Sequence, residues 1–439
     1  MSSKLLVVNC AALSYRCAER LFADYAKGRH NLSRFAGENA LAALRPVFPA
    51  VTMPVQASML TGEPPASHGC LSNTRFDRKA LSYNSWEQSA KLLDQRPFWT
   101  RSWFASKSVA TVCWQFSFHN GADQVITPAP AHTPDGKTFS AIMTVPPSLS
   151  QKVEGEFGDF PLSHYWGPGA NIESTRWIVS AATRVFGEYS PDVALIYLPH
   201  LDYVFQRHSF YDEPVIQELE LFADELDRLL GAAYRIGYKP VVLSEYGITG
   251  VSEAVAINRV LHNKGFLKVT SNSGREEIDT YSSRAFALVD HQVAGVYVSD
   301  RREMDGVLQA LGDTGGISEL IHGEKLAEYG ADHPAAPEIL AVSDADKWFR
   351  YHFWLDEKSA PAYAAKVDIH NKAGYDPMEL FFNESKTGIE VEDATKVKGS
   401  HGRLPEKLGD HGVYCAPDGE AESKVAATEI PQRIQKLVL

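Results

Sequence analysis

The chain has 439 residues and 44% hydrophobic content, enough to bury a large core and too much for one simple layer. A net charge of −12 with no Lys/Arg cluster excludes the basic stripe that a nucleic-acid surface needs. Five scattered cysteines (Cys10, Cys17, Cys70, Cys113 and Cys415) form no CxxC pair, which suits reduced thiols rather than a disulfide framework. The opening MSSKLLVVNCAALSY has too short an apolar run for a secretory signal, and no segment reaches the roughly 18 apolar residues of a membrane span. A soluble, cytoplasmic protein with no membrane and no nucleic-acid partner is expected.

In chain order, residues 5–8 are short and apolar and read as a buried parallel strand. Residues 76–167 are rich in Trp, Phe and Pro without regular periodicity, and read as a cap inserted over the core. The run VALIYL at 193–198 reads as a second buried strand. Helical spacing of Ile216, Leu219, Phe222, Leu226, Leu229 and Leu230 predicts a helix over 215–236, and PVVL at 240–243 a third strand. Strand, helix and strand at this spacing make a βαβ unit. A helix at 252–264 and a strand at 295–298 follow. The expected architecture is α/β: a three-layer, mostly parallel, doubly wound sheet with an inserted cap. The core would comprise 1–75, 168–300 and 396–439, with 76–167 as cap and 301–395 as a second insertion completing the core.

In open α/β sheets, ligands sit outside the carboxyl ends of the strands. Polar residues gather there in this sequence. Asn9 ends the first strand, His200 and Asp202 follow VALIYL, and Glu245 and Tyr246 follow PVVL. His200 stands two residues before Asp202, on the same side of an extended chain, and so is a candidate substrate contact.

The most informative segment is 48–73, FPAVTMPVQASMLTGEPPASHGCLSN. Its Thr52, Pro54, Ser58, Thr61-Gly62, Pro65 and His68-Gly69 resemble the nucleophile segment of the nucleotide pyrophosphatase/phosphodiesterase family, within the alkaline phosphatase superfamily. The stretch TGEPPASHG is especially similar to phosphonoacetate hydrolases. INRVLHNKGFL (257–267) and GSHG (399–402) extend the resemblance, which does not reach the cap. It implies an alkaline-phosphatase-type fold, a small phosphorylated substrate, and hydrolysis of a phosphate ester, phosphodiester or phosphonate. It also implies Thr52 as nucleophile at a helix start, where backbone N–H groups favour an anion. A plain Thr hydroxyl is weak and needs a metal or base. His68 is expected to orient the loop after this helix.

The resemblance implies a metal-ligand set as well, and the set is substituted. It falls on Asn9, Thr52, Asp202, Gln206, Glu245, Tyr246 and His401, with two carboxylates and one histidine where the family has three Asp and three His. Three readings are open. One is a single ion (Mn, Mg, Fe or Zn) held by Asp202, Glu245 and His401 with Asn9 or Thr52 assisting; this oxygen-rich set suits Mn, Mg or Fe. The second is a metal-free hydrolase or lyase. The third is a degenerate member that binds a phosphorylated metabolite without turnover. Asp290-His291, Asp332-His333 and Asp410-His411 are further pairs, and His370, between Asp368 and Asp376, is the main additional candidate for substrate contact. Trp99, Trp103 and Trp114 could stack on a substrate ring, although core packing suits them better.

Overall fold

The computed structural model describes residues 4–132, 138–421 and 423–439. A nine-stranded sheet forms its centre. The strand order is Lys424–Ala426, Ala40–Arg45, Gly412–Ala416, Tyr238–Leu243, Lys4–Cys10, Val193–Leu198, Val109–Val112, Gln124–Pro128 and Ile142–Val145. The five central strands from Tyr238–Leu243 to Gln124–Pro128 run parallel. Lys4–Cys10 lies between two of them, and its residues from Leu5 onward are buried. Burial on both faces is why this strand reads as a continuous apolar run.

Helices flank the sheet. Glu213–Arg235 opens on Pro214 in its first turn and buries Val215, Leu219, Phe222, Leu226, Leu229 and Leu230. It packs against Ile172–Tyr189 and His30–Glu38, while Thr52–Thr61 packs against Ile430–Val438. Among the described residues, no helix is long and apolar enough to cross a membrane.

A second, five-stranded sheet orders Ile317–His322, Ile339–Ser343, Val293–Val298, Ala285–Asp290 and Gly374–Tyr375. It carries its own apolar core, including Phe286, Val296, Phe349 and Trp354. The chain therefore divides differently from the sequence expectation. Residues 76–167 supply three strands to the edge of the main sheet. The strand expected at 295–298 in the core is Val293–Val298, and it belongs to the second sheet. The 252–264 helix also begins later. Glu253–Val255 is a strand paired with Lys347–Phe349, and the helix is Ile257–Asn263. Tertiary pairing overrides local pattern in this segment.

Candidate active site

Three strand ends and one helix start converge at the carboxyl edge of the main sheet. Helix Thr52–Thr61 is buried throughout, so its first residue is held in one place. Its C-terminus stops at Gly62, whose φ of 77° is the left-handed conformation glycine adopts freely. His68 Nδ1 accepts from the Cys70 N–H at 3.1 Å, so its Nε2–H faces Ser58 Oγ at 2.9 Å. That ring ties the loop to the helix.

The residues expected to hold an ion divide into two groups. In the first, Glu245 Oε1 accepts from Asn9 Nδ2 at 3.0 Å and from Gln56 Nε2 at 2.6 Å. Gln56 is itself fixed by the Gln115 N–H at 2.9 Å on its Oε1. Burial raises the Glu245 carboxyl to about 7, against the pull of the Gln56 and Asn9 amides. Glu245 Oε2 and Asn9 Oδ1 are buried without a donor.

In the second group, Asp202 and Gln206 lie on helix His200–Arg207, four residues apart and thus on one face. Gln206 Nε2 donates to Asp202 Oδ2, and Tyr246 Oη lies 3.4 Å from Oδ1. Thr52 Oγ1 and Tyr246 Oη are 2.9 Å apart. Because a carboxylate only accepts, Tyr246 donates to Asp202 and receives the Thr52 hydroxyl proton. Burial, and then the charge of Glu245, raise Asp202 to about 7. His401 follows the short strand Gly399–Ser400. A Cβ on Gly399 would lie 2.3 Å from Phe205 O, so only glycine lets this strand approach the Asp202 helix. His401 Nδ1 is 2.9 Å from the Ala50 carbonyl and must donate to it. Its Nε2 is left bare, buried, without a partner, and 3.7 Å from Asp202 Oδ1. Burial lowers the ring to about 3, so it is neutral.

These contacts test the ligand set. Two divalent ions do not fit. Gln206 turns its amide N–H2 and Tyr246 its hydroxyl toward Asp202, where metal ligands would offer lone pairs, and Glu245 Oε1 is taken by two amides. Among the described residues, no three of His, Cys, Asp and Glu gather into a metal cluster, so Asp202, Glu245 and His401 do not form one set. One ion fits between Asp202 Oδ1 and His401 Nε2, because donor bonds of about 2 Å each span such a gap. Two side chains leave the remaining positions to solvent or substrate oxygens, a habit of Mg and Mn rather than of a closed zinc site.

A cavity of about 120 Å³ opens beside Thr52, Asp202 and Tyr246. Its walls include Trp86, Trp166, His291, His370 and Tyr375, and among the described residues no Lys or Arg lines it. His370 lies in the cavity wall. His200 does not. The chain is helical from His200 onward, so a residue two positions away points to another face. His200 Nδ1 pairs with Thr175 Oγ1 at 3.0 Å and its ring packs on Phe222. Trp99, Trp103 and Trp114 are absent from the cavity wall; Trp86 and Trp166 are the tryptophans there. The helix start is a poorer anion site than expected, because the Met53 N–H is taken by Asn73 Oδ1 at 2.9 Å and Pro54 has no N–H.

Five residues that pattern reading missed or left unassigned shape the site. Gln56 closes Glu245, and Asn73 bridges Met53 to Asp290. Asp290 accepts from Ser72 Oγ, Asn73 N and Asn73 Nδ2, and this accounts for half of the Asp290-His291 pair. The His291 ring packs tilted against His401 with ring centroids 3.7 Å apart, and Tyr375 reaches Gln206 Oε1 at 3.2 Å. Asp332-His333 and Asp410-His411 are structural by contrast. His333 pairs with Asp94, Asp410 with Arg16, and His411 with the Lys407 carbonyl.

A threonine-headed helix at the carboxyl edge of a mostly parallel sheet, facing Asp and His from later strand ends, defines a hydrolase-type scaffold of the alkaline phosphatase superfamily. The chain belongs to the type I phosphodiesterase/nucleotide pyrophosphatase family, whose model matches residues 15–376. Among curated proteins none matches the chain. Solved structures share its fold. Phosphonoacetate hydrolase from Sinorhizobium meliloti 1021, in complex with phosphonoacetate, superposes with a TM-score of 0.62 at 15% identity, covering 100% of this chain and 96% of that one. Murine ectonucleotide pyrophosphatase/phosphodiesterase 5, as an inactive variant in complex with AMP, gives 0.61 at 14% identity, covering 99% and 95%. The human form of that protein gives 0.60 at 13%, with 99% and 95% covered.

Proposed function

We propose that this protein hydrolyses a phosphate ester, phosphodiester or phosphonate with Thr52 as nucleophile, assisted by one divalent or transition ion between Asp202 and His401. The observation that carries this reading is the bare, buried His401 Nε2 facing Asp202 Oδ1 at 3.7 Å, with the Thr52–Tyr246 pair beside it. A buried acceptor without a donor is costly, and a cation satisfies it. Among the described residues, the cavity wall offers no side-chain cation to meet the charge of a phosphoryl group. An ion at Asp202 and His401 would lower the pKa of the Thr52 hydroxyl and neutralise charge developing on phosphorus oxygens.

The chain's own residues do the rest. Tyr246 receives the Thr52 proton, which turns a lone pair of Oγ1 toward the cavity. Oγ1 bonds to phosphorus as the bond to the leaving oxygen or carbon breaks, the departing anion takes a proton from water, and a second water then cleaves the Thr52 ester. The proton leaves along Tyr246 Oη toward Asp202. The aromatic walls Trp86 and Trp166 would hold the leaving group and exclude water. The ligands of the solved relatives, AMP and phosphonoacetate, are compatible with this class.

A second reading has its own support. The closure of Glu245 by two amides removes half of a dinuclear site, which favours a relative that binds a phosphorylated metabolite without turnover. Metal content measured beside turnover of p-nitrophenyl phosphate and bis-p-nitrophenyl phosphate, with Mn, Mg, Zn and Fe added, separates the two. Metal-dependent turnover that vanishes in Thr52→Ala supports the hydrolase; no turnover with any ion removes it and leaves the binder.

A further inference from the structure

Six side chains close a circuit around Asp202. Tyr246 stacks on His401 (centroids 3.7 Å, 9°), while His401 packs tilted against His291 (3.7 Å, 36°) and His291 tilted against Tyr375 (4.5 Å, 32°). Tyr375 Oη donates to Gln206 Oε1 at 3.2 Å, and Gln206 Nε2 donates to Asp202 Oδ2. Tyr246 Oη then reaches Asp202 Oδ1 and completes the loop. Four of the six sit on the main sheet's edge and the chain's late segment. His291 and Tyr375 come from the second sheet or the turn beside it.

The position of Tyr375 is tightly determined. It pairs with Asp290 across the parallel ladder, next to Gly374. A Cβ on Gly374 would lie 1.9 Å from Val289 O, and its φ is 103°, so no side chain is tolerated there. Downstream, Asp376 Oδ1 caps the Met378 N–H at 3.0 Å, and the buried Lys372–Glu379 ion pair closes the turn. Nothing in the chemistry proposed above requires a tyrosine at 375. Its hydroxyl touches neither Thr52 nor Asp202, yet it is spent on one end of the Gln206 amide.

We propose that Tyr375 is a positioning residue, acting through Gln206: its hydroxyl holds the Gln206 amide with the N–H2 end toward Asp202, and so fixes Asp202 Oδ1 toward Tyr246 and His401. This rests on the reading of Asp202 as a functional carboxylate. The two ends of an amide have nearly the same shape, so hydrogen bonding alone chooses between them. Without the Tyr375 donor, Gln206 Oε1 is buried and unpaired, the amide samples the flipped state, and an oxygen then faces the carboxylate.

The test is Tyr375→Phe, which keeps the ring packed on His291 and deletes the hydroxyl. Exchange of the Gln206 side-chain amide protons, followed by ¹⁵N TROSY spectroscopy, is expected to accelerate about fivefold to tenfold, the loss of one net hydrogen bond. With an ester that is turned over, kcat is expected to fall about tenfold at unchanged KM, the scale seen when support of a site ligand is removed. In a Gln206→Ala background, Tyr375→Phe should change kcat no further. Unchanged amide exchange overturns the proposal, as does an additive effect in the Gln206→Ala background. If the wild type turns over no ester, the hydrolase reading fails, and amide exchange still decides the role of Tyr375.

Discussion

Asp202 and Glu245 are a matched pair in all but their partners. Both follow a central strand, both are buried, and burial raises both to about 7. Around Glu245 the neighbours are amides from Asn9 and Gln56, neutral donors that share one carboxylate oxygen. Around Asp202, one oxygen takes an amide and the other faces a tyrosine hydroxyl and a bare imidazole nitrogen. Equal burial thus has two outcomes. The amides make Glu245 part of the scaffold, whereas the bare nitrogen leaves Asp202 available to a cation and to Thr52. Substituting a ligand set does not abolish a site uniformly; it can close one half and leave the other open.

The largest expected effect tests the open half. Thr52→Ala removes the proposed nucleophile and leaves the helix intact, so kcat/KM for the best ester should fall about a thousandfold, roughly 4 kcal/mol in transition-state stabilisation. Steady-state kinetics beside the thermal unfolding midpoint is the measurement. A loss below about tenfold would place the nucleophile elsewhere and end the contrast between the halves. Next comes His401→Ala. It deletes one of the two proposed donors and should weaken Mn²⁺ binding about a hundredfold, close to 3 kcal/mol. Isothermal titration of wild type and variant checks this, with Asn9→Ala as the control from the closed half, expected to change Mn²⁺ affinity little. Equal losses in both variants would show that the two halves act together.

Much of this arrangement is legible in the sequence alone. Asn9, Asp202, Glu245 and Tyr246 stand at the ends of apolar runs, and a parallel sheet must deliver such residues to one edge. His401 and Thr52 are carried by motifs. What sequence pattern does not show depends on contacts between distant segments. Gln56 sits within a helix buried all round, where no periodicity marks a functional face. Tyr375 reaches Gln206 across 169 positions of chain. The expectation for His200 fails because VALIYL passes into a helix at His200 rather than continuing extended. The three main-sheet strands in 76–167 are only four or five residues long amid tryptophans and prolines, too short for their pattern to outweigh the surrounding composition.

The smallest effect concerns the closed half and has a definite sign in pH. The Glu245 carboxyl is raised from 4.5 to about 7 by burial, so the folded state prefers its protonated form. Between those values the native state binds more protons than the unfolded chain, and stability falls as pH rises. Below pH 4.5 the contribution is fully present; above about 7 it is gone. From pH 5 to pH 7 this group should cost about 2 kcal/mol of unfolding free energy. Glu245→Gln keeps the shape, cannot ionise, and turns a donor-bearing amide to the position where Oε2 now has no donor. Its stability, measured by urea unfolding, should therefore fall less over that pH range than the wild type's, by about 2 kcal/mol. Parallel curves for the two proteins would mean that Glu245 stays ionised in the fold. A cation would then be needed on its side as well, and the distinction between an amide-closed half and an open half would collapse.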